Sequence, residues 1–385
     1  MDIAFVGYFK LPSGTAAAQL IRGMATIAKE AGHKVRIIDV EADGNKAVKI
    51  EEKTLDGVDI VSIKYTANRY GELKKRFSYK YLVKAILPGS IVICYNFSSA
   101  LMLRFLMDKK RNFLITPCIT EWYSAGEIHS FVSLFSVIVK KIDIDMRMRV
   151  LTPQSDGVIV CSEYLNNFYC KRCKTLIIPT VIDYRQDKWK QKTINFDQNC
   201  INFVYAGIIG PNKDYIIEIM KILEAASHGR AYVFRILGVT KEQLISKYRE
   251  EKLLIEKKEH LFYGKIPHEK CIQIILSSDY SFLYRKNTRL ANAGFPTKFA
   301  ESMACGVPQI VTNTSDIHKY IQTGKNGLLI DFDIDIATSQ LESVFVNTRA
   351  DINEQKKYTK ELRLFDYQLY IEPFKEFING LGKNK

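Results

Sequence analysis

The chain has 385 residues, 47% of them hydrophobic and 25% charged, and an excess of 56 Lys and Arg over 42 Asp and Glu gives a net charge of +14. This composition excludes disordered and collagen-like chains, and no apolar run approaches the roughly 20 residues needed to span a bilayer. The basic excess favours an anionic partner: nucleotide phosphates, anionic lipid or nucleic acid. Because the start lacks a basic segment before an apolar run, we expect a cytoplasmic protein.

The first half of the chain alternates short apolar strands with helices. Strands are predicted over 3–8, 34–40, 58–64, 90–95, 113–116 and 157–161, with helices over 15–31 and 73–87. Strands that alternate with helices of about 10–15 residues indicate parallel βαβ units. Residues 1–184 are therefore predicted to form one doubly wound α/β domain.

The same pattern restarts after a polar stretch over 184–199, which we interpret as a linker. Strands are predicted over 201–208, 231–237, 260–263, 280–284, 308–312 and 327–330, and helices over 214–226 and 297–305. Residues 185–365 would be a second Rossmann-like domain, with 366–385 a helix and tail that pack back toward the first. Ligands bind at the carboxyl ends of parallel strands, so two such domains facing across a cleft would hold one ligand on each side.

Residues 291–308, with the sequence ANAGFPTKFAESMACGVP, carry the clearest chemical signal. Gly294 permits a close backbone approach, and Thr297 caps or starts a helix whose N-terminus suits a phosphate. Lys298 adds a full positive charge there, and Glu301 lies one turn further on, within reach of a sugar hydroxyl. Singly, these residues would be turn punctuation and solvated helix positions; together they predict nucleotide-sugar binding.

This segment resembles the nucleotide-sugar site of the family 4 glycosyltransferases, which have the GT-B fold of two doubly wound Rossmann-like domains. In that family two glutamates are separated by seven intervening residues; Glu301 corresponds to the second, which holds the ribose. Gly294 and Phe295 correspond to the residues after the first glutamate, which contacts the transferred sugar and is replaced here by Ala293. The Pro-Thr-Lys variant of the loop looks like that of bacterial surface-polysaccharide transferases.

Weaker similarity extends the resemblance over about residues 1–380. The run VYAGIIGPNK at 204–213 resembles the family's first strand of the second domain, where an arginine and a lysine bind the diphosphate. Lys213 matches that lysine, Ile208 stands in place of the arginine, and we expect Lys298 and Arg285 to restore the lost charge. The run LFYGKI at 261–266 resembles the family's strand end whose backbone reads the base. The residues that the resemblance implies for the nucleotide sugar are Gly14, Gly207, Lys213, Gly264, Ile266, Arg285, Gly294, Phe295, Thr297, Lys298 and Glu301.

The resemblance implies a hexosyl- or N-acetylhexosaminyl-transferase that moves a sugar from a UDP- or GDP-type donor to a hydroxyl of a glycan or lipid-linked glycan. We expect retention of configuration and catalysis by Lys213, Lys298 and Glu121. No cofactor and no metal is expected, because the acidic runs at 143–145 and 331–333 lie away from the predicted site and the pair Cys170 and Cys173 lacks further zinc ligands. Two alternatives remain: an inactive GT-B partner or regulatory subunit, which Ala293 and Ile208 favour, and a sugar-nucleotide epimerase or hydrolase.

Two segments of the first half, 73–84 and 131–150, mix basic residues with aromatic and aliphatic ones. Basic amphipathic helices of this kind lie on anionic leaflets, so one interpretation is peripheral association with the inner face of the membrane. The alternative is an ordinary helix with a solvated basic face. No nucleic-acid partner is expected, because the chain has no recognition motif.

Overall fold

The computed structural model describes residues 1–11, 15–43, 49–55, 57–66, 79–122, 134–208 and 214–382. It divides the chain into two compact units, Met1–Val181 with Tyr367–Lys385 and Ile182–Asp366. Each unit is built on a largely parallel sheet, which confirms the predicted pair of α/β domains. Among the described residues, no helix is both long enough and apolar enough to cross a membrane.

The first unit contains an eight-stranded sheet in the order β3-β4-β2-β1-β5-β6-β7-β8. All neighbouring strands are parallel except β3 and β4. The strands are β1 (Asp2–Gly7), β2 (Lys34–Asp43), β3 (Lys49–Leu55), β4 (Val58–Thr66), β5 (Ile91–Tyr95), β6 (Leu114–Ile119), β7 (Val158–Val160) and β8 (Thr175–Ile177).

Helices cover both faces of this sheet. Along β1, Ile3 and Phe5 enter one apolar cluster, whereas Ala4 and Val6 enter the other. A strand buried on both faces reads as a continuous apolar run, which is why these strands are visible in the sequence. Before the C-terminal segment, the described α-helices of this unit are α1 (Ala16–Glu30), α2 (Tyr79–Ala85), α3 (Ser99–Met107), α4 (Leu134–Asp145) and α5 (Glu163–Tyr169). Helix α4 continues as a π-helical segment (Met146–Leu151).

The second unit contains a six-stranded parallel sheet in the order β11-β10-β9-β12-β13-β14. Its strands are β9 (Ile201–Ala206), β10 (Tyr232–Leu237), β11 (His260–Gly264), β12 (Tyr280–Leu283), β13 (Gln309–Thr312) and β14 (Gly327–Ile330). Its helices are α6 (Ile216–Ser227), α7 (Lys241–Lys247), α8 (Lys252–Ile255), α9 (His268–Ser277), α10 (Arg289–Ala293), α11 (Thr297–Ala304), α12 (Ile334–Phe345) and α13 (Arg349–Glu361).

The C-terminal segment returns to the first unit. Its helix α14 (Ile371–Asn379) contributes Phe374 and Phe377 to the same apolar cluster as Ile21 and Met24 of α1. Leu381 enters that cluster too. The tail is therefore part of the core of the first unit.

The stretch over 184–199 is not the free linker that its polarity predicts. Trp189 is buried, and its indole N–H donates to the carbonyl oxygen of Asp183 at 2.9 Å. The backbone N–H of Ile194 donates to the hydroxyl of Ser277 at 2.7 Å. The hydrogen bond to Ser277 thus ties this segment to the second unit despite its polar composition.

Several elements of the first unit were not predicted, among them β3, α3, α5 and β8. The strand β3, with its sequence KIEEKTL, is polar because it forms an antiparallel edge of the sheet. The helix α3 and the strand β8 are too short for a hydrophobic periodicity to be recognised in their sequences. Of the predicted helix over 73–87, residues 73–78 lie outside the described part of the chain, and the remainder contains α2.

Candidate functional site

The carboxyl ends of β9, β10 and β11 lie side by side, and each ends at or passes into a glycine. The amide of Gly207 donates to the carbonyl oxygen of Leu237 at 3.0 Å, and that of Gly238 donates to Gly264 at 2.7 Å. Gly238 has φ +90°, and a Cβ there would overlap the carbonyl group of Gly207. A Cβ on Gly207 would overlap the ammonium of Lys298. Because Gly207 has no side chain, the Lys298 side chain can lie against its backbone.

The carboxylate of Asp214 gathers three side chains from three other elements. Its Oδ1 accepts from Nε of Arg285 at 2.6 Å, and its Oδ2 accepts from Nζ of Lys298 at 2.7 Å and from the hydroxyl of Tyr205 at 2.8 Å. Lys298 also lies 4.2 Å from the centre of the Tyr205 ring. We call these four residues the Asp214 cluster. It unites Arg285 and Lys298, the two cations predicted to serve one diphosphate.

The Asp214 side chain is only 3% exposed. Burial by itself raises the pKa of a carboxyl, but the two cations outweigh it and hold the pKa of Asp214 well below its usual range. Burial and the neighbouring Asp214 charge raise the pKa of Tyr205 well above its usual value. Asp214 is therefore an anion and Tyr205 a neutral donor at neutral pH, and the two cations leave the cluster with a net charge of +1.

Arg285 is fixed at the end of β12 by the neighbouring strand. Its amide donates to the hydroxyl of Thr312 at 2.8 Å, and that hydroxyl donates back to the carbonyl oxygen of Arg285 at 2.7 Å. The side chains of Arg285 and Lys298 keep 15% and 19% of their surface exposed. Ile208, which stands where the resemblance places an arginine, points largely into solvent. The charge near Gly207 thus comes from neighbouring elements of the sheet.

Helix α11 begins beside this cluster. Thr297 is its first residue, and Pro296 holds the cap position without a side-chain hydrogen bond. An uncapped helix start presents N–H groups and the positive end of the helix dipole, both of which favour an anion. Lys298 therefore adds its charge where the helix itself attracts phosphate.

Glu301 lies one turn along α11 and pairs with a histidine from the next helix. Its Oε1 lies 3.0 Å from Nε2 of His268, the first residue of α9. The Glu301 side chain is 13% exposed and that of His268 is 29% exposed. His268 therefore restricts the direction in which the Glu301 carboxylate points.

The residues before α11 have different surroundings. The Phe295 ring packs 5.5 Å from Phe365 and 5.7 Å from Tyr320, so its side chain belongs to an aromatic core. Gly294 has φ −88°, a value open to any residue. Ala293, which stands where the resemblance places the first glutamate, is completely buried at the end of α10. The side chain at this position is therefore not exposed to solvent.

An open cavity of about 570 Å³ adjoins the end of β11. Gly264, predicted to lie near a nucleobase, is one of its lining residues, and Ile266 is half-buried two residues further on. The other lining residues are Thr240, Lys241, Glu242, His260, Leu261, Phe262 and Tyr263. The base contacts of Gly264 and Ile266 stay predictions.

Three predicted residues do not belong to the described part of the second unit. Gly14 and Lys213 lie outside the described residues. Glu121 belongs to the first unit, two residues beyond the end of β6. In the described part of the chain, no group of three or more His, Cys, Asp or Glu is placed to hold a metal ion.

The loop that leads toward Gly14 is anchored by a second buried carboxylate. Oδ1 of Asp39 accepts from the amides of Phe9 at 2.8 Å and Lys10 at 3.2 Å, and Oδ2 accepts from Leu11 at 2.7 Å. Lys10 has φ +57°, a left-handed conformation that costs a non-glycine residue about 1–2 kcal/mol. Thr15 closes the loop by donating to the carbonyl oxygen of Phe9 at 3.0 Å.

Sequence reasoning missed Tyr205, Asp214, Gly238, His268 and Asp39. Asp214 directly follows the predicted ligand Lys213, so an acid among predicted cations was a usable signal. No local pattern connects His268 with Glu301, because they lie on different helices. Such pairs become visible only when the helices pack.

Comparison with known proteins finds a family model that matches the second unit. Residues 185–361 match the model of glycosyl transferases group 1. No curated protein matches the chain. The narrower resemblance to family 4 stays a prediction.

Solved structures match the whole chain in fold. Sucrose-phosphate synthase from Thermosynechococcus elongatus superimposes with a TM-score of 0.72 at 15% identity, covering 98% of both chains. The E. coli trehalose-6-phosphate structure bound with UDP-2-fluoro glucose gives 0.68 at 12% identity, over 97% of this chain and 98% of that one. The catalytic domain of starch synthase IV from Arabidopsis thaliana, bound to ADP and acarbose, gives 0.66 at 12% identity, over 98% and 99%. The fold is therefore GT-B, as predicted.

Proposed function

We propose that the protein is a glycosyltransferase that binds a nucleoside-diphosphate sugar at the carboxyl edge of the second sheet. The observation that carries the proposal is the meeting of Arg285 and Lys298 on Asp214, beside Gly207 and the start of α11. This arrangement supplies cations, bare backbone and a helix N-terminus to one anion. It lies in the domain that matches glycosyl transferases group 1, and two similar structures hold UDP-2-fluoro glucose or ADP.

In the proposed binding mode, Lys298, Arg285 and the first turn of α11 bind the diphosphate. Glu301 accepts hydrogen bonds from the ribose hydroxyls, and Gly264 and Ile266 present backbone to a uracil or guanine base. Gly294, Phe295 and Thr297 contribute backbone near the sugar, as do Gly14 and Gly207. The Phe295 ring is buried in the core, so at this residue only the main chain is proposed to contact the sugar.

In the proposed reaction, the bond from the anomeric carbon to the phosphate oxygen breaks and a bond to the acceptor hydroxyl oxygen forms. The leaving diphosphate gains negative charge, which Lys298, Arg285 and Lys213 stabilise. A diphosphate oxygen takes the acceptor proton on the same face of the sugar, so configuration is retained. Glu121 is proposed to orient the acceptor, and neither a metal nor a cofactor takes part.

We further propose a glycan or lipid-linked glycan as the acceptor and a hexose or N-acetylhexosamine as the transferred sugar, with the protein in the cytoplasm at the membrane's inner face. The basic amphipathic segment over 131–150 supports this acceptor class. The second candidate is an inactive GT-B partner or regulatory subunit. It is supported by the alanine at 293 and the isoleucine at 208.

The experiment incubates the full chain with UDP- and GDP-sugars, with and without lipid extract, and measures released nucleoside diphosphate. We expect release from at least one donor, unchanged by a chelator and reduced at least tenfold in Lys298→Ala. Lys270→Ala is the control, because Lys270 is exposed on α9 and donates to Gln273. Nucleotide binding without turnover of any donor would favour the inactive partner, and release that requires added metal would contradict the mechanism.

A further inference from the structure

Exposed apolar side chains concentrate on α3 and on α4 with its π-helical extension. Of the 18 large hydrophobic residues that are exposed in the described part of the chain, seven lie on these two elements. Each is 37% to 66% exposed: Leu103, Met107, Ile138, Val139, Ile142, Met146 and Val150. Exposed apolar residues scattered singly are ordinary, whereas a contiguous group of them marks an interaction site.

Helix geometry aligns these residues along two stripes. Ile138, Ile142 and Met146 follow one another at intervals of four residues, so they lie on one face of α4 and its extension. Leu103 and Met107 are one and two turns from Ser99 on the same face of α3.

A hydrogen-bonded contact brings the two stripes together. The backbone amide and the hydroxyl of Ser99 both donate to Oδ1 of Asp143, at 2.8 and 2.6 Å. Asp143 lies one turn from Val139, and Ser99 lies one turn from Leu103. The two helices that carry the stripes are therefore joined at this contact, and we call their exposed residues together the apolar–basic face.

The charge around this face is positive. Residues 99–111 and 134–151 contain eight basic and three acidic residues, which gives a net charge of +5. Each acid is engaged within the unit: Asp108 by Arg111, Asp143 by Ser99 and Asp145 by Arg149. Among the described residues, no ion pair is formed by Lys109, Lys110, Lys140 or Lys141.

We propose that the apolar–basic face docks on an anionic lipid bilayer. Exposed aliphatic side chains enter the boundary between headgroups and acyl chains, while flanking lysines contact anionic headgroups. The positive charge distinguishes this occupant from a second copy of the chain, whose identical face would bring like charges together. The proposal names the surface for the membrane location given under the proposed function and rests on it in that respect, but it depends on the first unit alone and is independent of the nucleotide site.

Co-sedimentation of the full chain with vesicles tests this proposal. We expect binding to vesicles that contain phosphatidylglycerol and at least tenfold weaker binding to pure phosphatidylcholine. Ile142→Glu and Met107→Glu should each weaken binding to the anionic vesicles about tenfold or more, because a carboxylate then replaces an aliphatic side chain that enters the bilayer. Lys140→Ala with Lys141→Ala should weaken it on the order of tenfold.

The matched control is Leu253→Glu, at the most exposed large hydrophobic position of the second unit. It should bind anionic vesicles as the parent chain does, and thermal unfolding checks that every variant is folded. Absence of vesicle binding by the parent chain would overturn the proposal. So would equal losses in Leu253→Glu and Ile142→Glu, or a change from dimer to monomer in Ile142→Glu with unchanged vesicle binding.

Discussion

Asp39 in the first unit and Asp214 in the second are both buried carboxylates near the carboxyl ends of parallel strands, but their partners differ. Asp39 accepts three backbone N–H groups from the loop after β1. Asp214 accepts from a guanidinium, an ammonium and a phenol. Where the donors are neutral amides, as at Asp39, the carboxylate only holds the backbone in place. Where two of the donors are cations, as at Asp214, the cluster keeps a net positive charge that can bind an anionic ligand.

Substitution of Asp39 should give the largest loss of stability. Asp39→Ala leaves the amides of Phe9, Lys10 and Leu11 without their buried acceptor, and it releases the left-handed conformation of Lys10. We expect a loss of about 3 kcal/mol in the free energy of unfolding. Denaturant unfolding measures this change.

The control for Asp39 is Asp59→Ala, because Asp59 is exposed and its nearest cation, on Arg36, lies at 3.7 Å. Exposed pairs of this kind contribute less than about 1 kcal/mol. Equal losses in the two variants would show that the amide contacts of Asp39 carry no special weight.

Substitution of Asp214 should separate stability from binding. Asp214→Asn removes the charge between Arg285 and Lys298, so we expect a loss of about 2 kcal/mol in stability. The same change raises the net charge of the cluster by one, so a nucleoside diphosphate should bind about tenfold more tightly. Thermal unfolding and calorimetric titration measure the two effects.

The matched control for Asp214 is Asp279→Asn. Asp279 is also buried and paired, with Arg349 at 2.7 Å, but it lies at the opposite end of the second sheet. It should lose stability and leave nucleotide affinity unchanged. Weaker nucleotide binding by Asp214→Asn would mean that Asp214 acts by positioning the cations more than by neutralising them.

The low pKa of Asp214 predicts a dependence on acid. A carboxylate whose folded pKa is depressed adds stability above its unfolded value, near 3.8, and loses that contribution as the pH falls toward the folded value. The difference in unfolding free energy between the parent chain and Asp214→Asn should stay constant above about pH 5. Below 3.8 it should shrink by about 1.4 kcal/mol per pH unit. A difference that stays constant to pH 3 would contradict the assigned direction.

The pairing of His268 with Glu301 predicts a smaller effect that concerns the ribose. His268→Ala frees the Glu301 carboxylate, so affinity for a nucleoside diphosphate should fall about three- to tenfold, while affinity for its 2′,3′-dideoxy counterpart should not change. His228→Ala is the control, because His228 pairs with Glu342 at 2.8 Å on the surface. Equal losses for both ligands would show that His268 has only a structural role.

Some of this arrangement could be predicted from sequence and some could not. Most strands of the two sheets contain continuous apolar runs, and α11 lies between a proline and a glycine, so local patterns reveal them; the polar edge strand β3 is an exception. The meeting of Arg285 and Lys298 follows from parallel strands that end at one edge. His268 was missed because pairing between two helices leaves no local signal, whereas Asp214 had a local signal in its position directly after Lys213. The burial of Trp189 was missed because one side chain outweighed the polarity of its segment.

The most direct test of the nucleotide site is calorimetric titration of UDP, GDP and ADP into the parent chain, Lys298→Ala, Glu301→Ala and the control Lys270→Ala. We predict that at least one nucleotide binds the parent chain and the control equally. It should bind each site variant ten- to a hundredfold more weakly, because each loses contacts worth about 1.5–3 kcal/mol. Unchanged affinity in both folded site variants, or no binding of any nucleotide to the parent chain, would contradict the proposed site.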